Sequence, residues 1–128
     1  MKLLLDTHIW LWMWLEPTRL ATRVQQQLQD QTNELWLSPI STWEALLLQA
    51  KGRIQLQPPP EIWVANAMQE FLEAPVTHEI VLVSQQLGLP SDPADRFIAA
   101  TAKVLDLTLV TADLNLLACR DIKTLSNR

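Results

Sequence analysis

The chain has 128 residues, a formal net charge of −4, two glycines, eight prolines and one cysteine. That length suits one domain with a real core, and 48% apolar against 19% charged residues excludes a disordered or fibrous chain. A membrane span is excluded because no apolar run reaches the ~18–20 residues it needs, an internal disulfide or Cys-rich zinc site because Cys119 stands alone, and a nucleic-acid binder relying on bulk basicity because the balance is acidic.

In chain order, Lys2–Leu5 is a short apolar run broken by Asp6, which reads as a buried strand ending in a carboxylate. The segment lacks a basic n-region and a small-residue cleavage site, so it does not read as a signal peptide, and a cytoplasmic location is expected. His8–Leu15 is apolar almost all round, a helix that needs cover on every side. Pro17 closes it. Arg19–Asp30 carries Leu20, Val24 and Leu28 at i, i+4 and i+8, a helix with one buried face. Glu34–Leu37 is a second strand. Ser38-Pro39 then caps and opens a helix over Ile40–Ala50, which stops near Lys51-Gly52. The Pro58-Pro59-Pro60 run is a rigid connector to a helix from about Glu61 to Phe71.

Ala74–Thr77 reads as a short strand, and Thr77 as the cap of a helix bearing Ile80, Val83 and Leu87, stopped by Gly88. Pro90–Asp95 is a loop in which Asp92-Pro93 opens a further helix bearing Phe97, Ile98, Ala102 and Leu105. Leu107–Val110, short and apolar, is the strongest internal strand, and Asp121–Leu125 reads as a final edge strand. There are no repeats and no linker long enough to split the chain, so a single domain over residues 1–128 is expected. Strands alternating with helices indicate an α/β fold with a mostly parallel sheet covered on both faces.

Four acids recur at comparable places in this pattern: Asp6 at the end of the first strand, Glu44 one turn into the helix after the second, Asp95 in the first turn of the helix before the Leu107 strand, and Asp113 just beyond that strand. In a parallel sheet these positions face one edge, where open α/β sheets bind ligands. Carboxylates gathered there repel unless a cation neutralises them. An all-oxygen set suits a hard ion, Mg²⁺ or Mn²⁺, and such ions support phosphodiester hydrolysis. Each acid also has a local role open to it. Asp6 and Asp113 are placed to cap helices, Glu44 completes an S-x-x-E capping box with Ser41, and Asp95 is within reach of Arg96 or Lys103. Asp92 reads mainly as a cap beside Pro93, His8 as a packing histidine, His78 as a surface residue and Cys119 as inert packing. It is the concurrence of four acids at strand edges that favours a shared site.

Four stretches, LLLDTHIWLW (Leu3–Trp12), SPISTWEALL (Ser38–Leu47), DPADRFIAATA (Asp92–Ala102) and LTLVTAD (Leu107–Asp113), carry a family likeness. In them the chain resembles the PIN-domain nucleases, in particular VapC-like toxins of bacterial toxin–antitoxin pairs. The resemblance implies a PIN-like three-layer α/β/α sandwich with a central sheet of four or five short strands. It also implies a Mg²⁺- or Mn²⁺-dependent endoribonuclease whose acidic quartet falls on Asp6, Glu44, Asp95 and Asp113, with Thr111 as the hydroxyl beside the last acid. It further implies a homodimer silenced by a small antitoxin protein, with RNA as substrate and no membrane partner. Where close relatives carry a lysine a turn beyond the Trp-Glu pair, this chain has Leu48. The six tryptophans, Trp10, Trp12 and Trp14 among them, are open to two readings, core or partner surface. Rival functions are a catalytically inactive PIN-fold protein-binding module and a phosphoacceptor signalling domain. The latter wants paired acids after its first strand, and Asp6 has no acidic neighbour.

Overall fold

A computed structural model describes every residue except Pro58 and Ser91. Five strands form one sheet: β1 (Lys2–Leu5), β2 (Glu34–Leu37), β3 (Leu72–Glu73), β4 (Thr108–Thr111) and β5 (Lys123–Ser126), in the order β3-β2-β1-β4-β5. Every neighbouring pair is parallel, with Leu4 opposite Trp36 on one side and Leu109 on the other. Alternation along the strands sends side chains to two separate cores. Leu3, Leu5, Leu35, Leu37 and Val110 face one layer, made by α1 (Thr7–Leu15), α2 (Thr22–Gln29), α3 (Pro39–Ala50) and α4 (Pro60–Ala67), which contribute Trp10, Val24, Ala45 and Ala67. Leu4 and Leu109 face the other, made by α5 (His78–Ser84), α6 (Pro93–Val104) and α7 (Leu114–Leu117), which contribute Ile80, Ile98 and Leu116. The result is the three-layer α/β/α arrangement, with the sheet parallel throughout. Among the described residues no helix is long and apolar enough to cross a membrane.

Several boundaries differ from the sequence reading. The strand expected at Ala74–Thr77 is β3, Leu72–Glu73, because Pro75 has no N–H to extend the ladder beyond the Ala74 N–H bond to Leu37 O at 2.9 Å. The helix expected over Arg19–Asp30 begins only at Thr22. A 3₁₀ turn occupies Pro17–Arg19, Leu20 is extended, and the Ala21 N–H donates to Asn127 Oδ1 at 2.7 Å instead of entering a helix. The helix expected to run to Phe71 stops at Ala67, since the chain must turn and straighten into β3 while Phe71 packs onto the core. The last strand lies at Lys123–Ser126 rather than Asp121–Leu125. Of the proline connector, Pro58 lies outside the described residues, and Pro60 opens α4. The left-handed backbone at Gly52 (φ 72°) and Gly88 (φ 63°) ends α3 and the turn after α5, as the glycines' place in the sequence requires.

β1 is the central strand of this sheet: chain order runs outward from it to β2 and β3 on one side and to β4 and β5 on the other. The crevice above the C-terminal ends of β1 and β4 is therefore the switch point of the sheet, the place where such sheets receive ligands.

Candidate active site

Asp6 follows β1 directly, and its N–H still bonds Val110 O at 3.0 Å, so the sheet fixes its backbone. Its side chain is 6% exposed. One carboxylate oxygen, Oδ1, accepts the Thr7 N–H at 2.8 Å as the cap of α1, and the other, Oδ2, accepts the Thr111 hydroxyl at 2.8 Å from the end of β4. Thr111 in turn accepts the Asp113 N–H at 3.0 Å, which turns the chain after β4. Asp113 caps α7 through the N–H groups of Asn115 and Leu116 with Oδ1. Capping and site-lining are thus the same act for Asp6 and Asp113, so the two readings open in the sequence do not compete.

Glu44 arrives from α3. Ser38 is the cap of that helix, accepting the Ile40 N–H at 3.0 Å, and Ser41 lies within the helix, so the S-x-x-E box suggested by the sequence does not form. Instead, Thr7 Oγ1 lies 2.5 Å from Glu44 Oε1 and 2.9 Å from the buried Ser41 Oγ. With a single proton, Thr7 donates to the carboxylate and accepts from Ser41. Asp95 sits in the first turn of α6, whose cap Asp92 accepts the Asp95 N–H at 3.0 Å. Neither Arg96 nor Lys103 forms an ion pair with Asp95 among the described residues.

These side chains line a single cleft of about 540 Å³, shared by Asp6, Glu44, Asp92, Asp95 and Asp113 with His8, Trp12 and Arg19. Arg19 is a cation on its wall, stacked over the Trp12 ring at 4.3 Å and paired to Glu16 at 3.5 Å. His8 is exposed, lines the cleft and is tilted against the Trp12 ring at 5.9 Å, so the packing histidine of the sequence reading also borders the acids. Sequence reading gives no site role to Thr7 or Arg19, and offers Ser41 only as a capping-box residue. The one local signal for Thr7 is a hydroxyl directly after a strand-ending acid; Arg19 has none, because it reaches the cleft through tertiary packing. Asp92 is the cap that its place before Pro93 predicts, and it also lines the cleft with the other acids.

The electrostatics follow from this crowding. Burial, and then the charges of Asp92, Asp6, Asp113 and Glu44, push the Asp95 carboxyl up to about 7. Burial also raises Asp6, against the Thr111 hydroxyl, His8 and the Thr7 N–H, which hold its ionised form. Glu44 is raised by burial too, opposed by the Thr7 hydroxyl and reinforced by Asp6 and Asp92. A fold that gathers acids which resist ionising together is incomplete without positive charge, and the donor set is oxygen throughout, which fits a hard divalent cation. Among the described residues no three of the acids already stand as a closed ion-binding group. Asp6, Glu44, Asp95 and Asp113 are the residues that would hold such an ion, and Asp6 is fixed among them by hydrogen bonds to both carboxylate oxygens.

With this geometry in view, comparison with known proteins is direct. Residues 3–120 match the PIN domain family. The chain is 34% identical over 112 residues to Ribonuclease VapC22 of Mycobacterium tuberculosis, covering 86% of this chain and 85% of that protein. Among solved structures it is similar to VapBC2 from Rickettsia felis bound to a promoter DNA fragment (TM-score 0.75, 16% identity, 98% of each chain). It is also similar to DNA-bound VapBC from Salmonella typhimurium (TM-score 0.73, 18% identity, 100% of this chain and 99% of that one). The acids at the sheet's switch point, the parallel five-stranded order and the extent of these matches lead to one conclusion: this chain belongs to the PIN-domain family.

Proposed function

We propose that the protein is a divalent-metal-dependent endoribonuclease, the toxin of a toxin–antitoxin pair, and that Asp6, Glu44, Asp95 and Asp113 hold Mg²⁺ or Mn²⁺ for hydrolysis of RNA phosphodiester bonds. The observation that carries this reading is the convergence of those carboxylates, separated by up to 107 positions along the chain, on one cleft at the sheet's switch point. Likeness to a ribonuclease supports the substrate class. Likeness to VapBC complexes supports an antitoxin partner, and we include a homodimer and a cytoplasmic setting in the same reading.

The residues divide the work. Thr111 and the Thr7 N–H pin both oxygens of Asp6, which leaves the remaining lone pairs directed by the sheet rather than by a mobile side chain. Thr7 orients Glu44 through its hydroxyl, so a single residue after β1 sets two acids. Asp95 is governed chiefly by burial and by the neighbouring charges of Asp92 and Asp6. A divalent cation held by Asp6, Glu44, Asp95 and Asp113 would offset their charge and would supply Lewis-acid polarisation of a phosphoryl oxygen and a more acidic water. Arg19, on the cleft wall, is placed to meet the backbone of an incoming RNA strand.

The test is Asp95→Asn in the purified chain. Cleavage of single-stranded RNA with Mn²⁺ is expected to fall by at least about a hundredfold while the circular dichroism spectrum stays that of the parent. Full cleavage by the variant rejects the assignment. The exposed Trp14 and Trp43 favour a second reading, a catalytically inactive binding module that acts through a tryptophan-rich surface. Calorimetry decides between them, because that reading requires no Mn²⁺ uptake at millimolar concentration.

A further inference from the structure

Beside the acid cleft lies a second, larger groove of about 650 Å³, walled by Trp43, Leu47 and Leu48 of α3 and by Pro93 and Phe97 of α6, with Lys51 at its far end. It opens into the acid cleft, since His8, Glu44 and Asp92 line both. Its size is in the range of about 300–1,000 Å³ that takes a compact organic group. We propose that this groove is a nucleobase subsite: when an RNA phosphate sits over the acids, the adjacent base enters the groove and stacks on Trp43, and the next phosphate meets Lys51. The proposal rests on the ribonuclease reading above and adds to it where specificity would reside.

Three features favour a base over other occupants. Trp43 is 55% exposed and lines the same groove as Glu44, so an accessible aromatic ring stands in a slot that the acid site borders. Trp43, Leu47 and Lys51 follow at i, i+4 and i+8, which puts them on one face of α3. Lys51 is thereby about 10 Å along the helix axis from Glu44, enough to place a nucleoside between a phosphate at the acids and a phosphate at the lysine. The polarity runs in the same order: acids that want a cation and its phosphate, then an apolar slot, then a cation. A single strand of RNA repeats that order as phosphate, flat base, phosphate. Base–aromatic stacking is sequence-tolerant and worth a substantial share of single-strand affinity, so the slot would select unpaired RNA first and base identity second.

The experiment measures anisotropy of a labelled single-stranded RNA on the full chain carrying Asp95→Asn, which prevents cleavage, with and without Trp43→Ala. Trp43→Ala is expected to weaken binding roughly ten- to a hundredfold, and Trp43→Phe to restore most of it. Against RNA with an abasic ribose beside the cleavage position, the same substitution is expected to change nothing. Lys51→Ala should lower the slope of log affinity against log salt by about 1. Equal binding by Trp43→Ala and its parent overturns the proposal. So does an equal loss on abasic RNA, or a drop from dimer to monomer mass on Trp43→Ala, which would make the groove an interface between copies. Cleavage by the unmodified chain with Mn²⁺ is followed in parallel. Lack of cleavage with Trp43-dependent RNA binding defeats the nuclease reading alone, whereas cleavage with Trp43-independent binding defeats the subsite alone.

Discussion

Thr111 shows how much a single hydroxyl can carry. It is fully buried, donates to Asp6 and accepts from the Asp113 N–H, and so ties the end of β4 to the end of β1. Thr111→Val keeps the β-branched shape and removes the donor. The expected cost is ~1–3 kcal/mol of stability, read from urea unfolding, together with weaker Mn²⁺ binding, because the Asp6 carboxylate then stays charged less readily. Thr111→Ser should recover both, and unchanged metal affinity in the valine variant would show that Thr111 serves the fold alone. At this scale the sequence was informative where an acid or hydroxyl ended a strand, as for Asp6, Thr111 and Asp113. It was uninformative for Thr7, whose bond to Glu44 joins residues 37 positions apart. It misled for Ser41, where spacing mimicked a capping box but helix α3 had already begun at Pro39.

Among the elements, α3 and α6 do most to shape the site, each delivering an acid from its first turns. Their starts are set by Ser38 and Asp92, each followed by proline. Ser38 is completely buried, and Ser38→Ala is expected to lower stability by ~1–2 kcal/mol. Ser41→Ala, one turn on, leaves the cap intact. It should instead loosen Thr7 and with it Glu44, so that RNA cleavage falls more than stability does. A comparison of unfolding midpoint with cleavage rate in the two variants checks this. Equal ratios would mean that Ser41 is merely packing. Helix starts of this kind were readable because cap and proline are neighbours in the chain. Helix ends and the 3₁₀ turn at Pro17–Arg19 were not, since what stops them is distant, such as Asn127 taking the Ala21 N–H.

For the molecule as a whole, the acids make stability depend on pH in a definite sense. The folded Asp95 carboxyl is raised from 3.8 to about 7, so folding favours its protonated form. The stability this confers is complete at acidic pH and is lost as pH rises through about 7; Asp6 and Glu44, also raised, act in the same direction. Divalent cation removes the repulsion and should therefore stabilise most where the acids are charged. The melting temperature is expected to rise more on adding Mn²⁺ at pH 8 than at pH 5, and equal shifts at the two pH values would contradict the account. The parallel three-layer plan was legible in the alternation of apolar runs and one-faced helices. The groove beside the acids was not, because it is formed by side chains from two helices that meet only in the folded chain. The bond between Thr111 and Asp6 spans 105 positions, and this separation bears on how the protein is made. A nascent chain still on the ribosome holds Asp6 early but has nothing to set it against until Asp113 is polymerised and the fourth strand adds to the sheet. A catalyst directed at RNA would thus remain harmless to the message and the machine translating it until the fourth strand has been made.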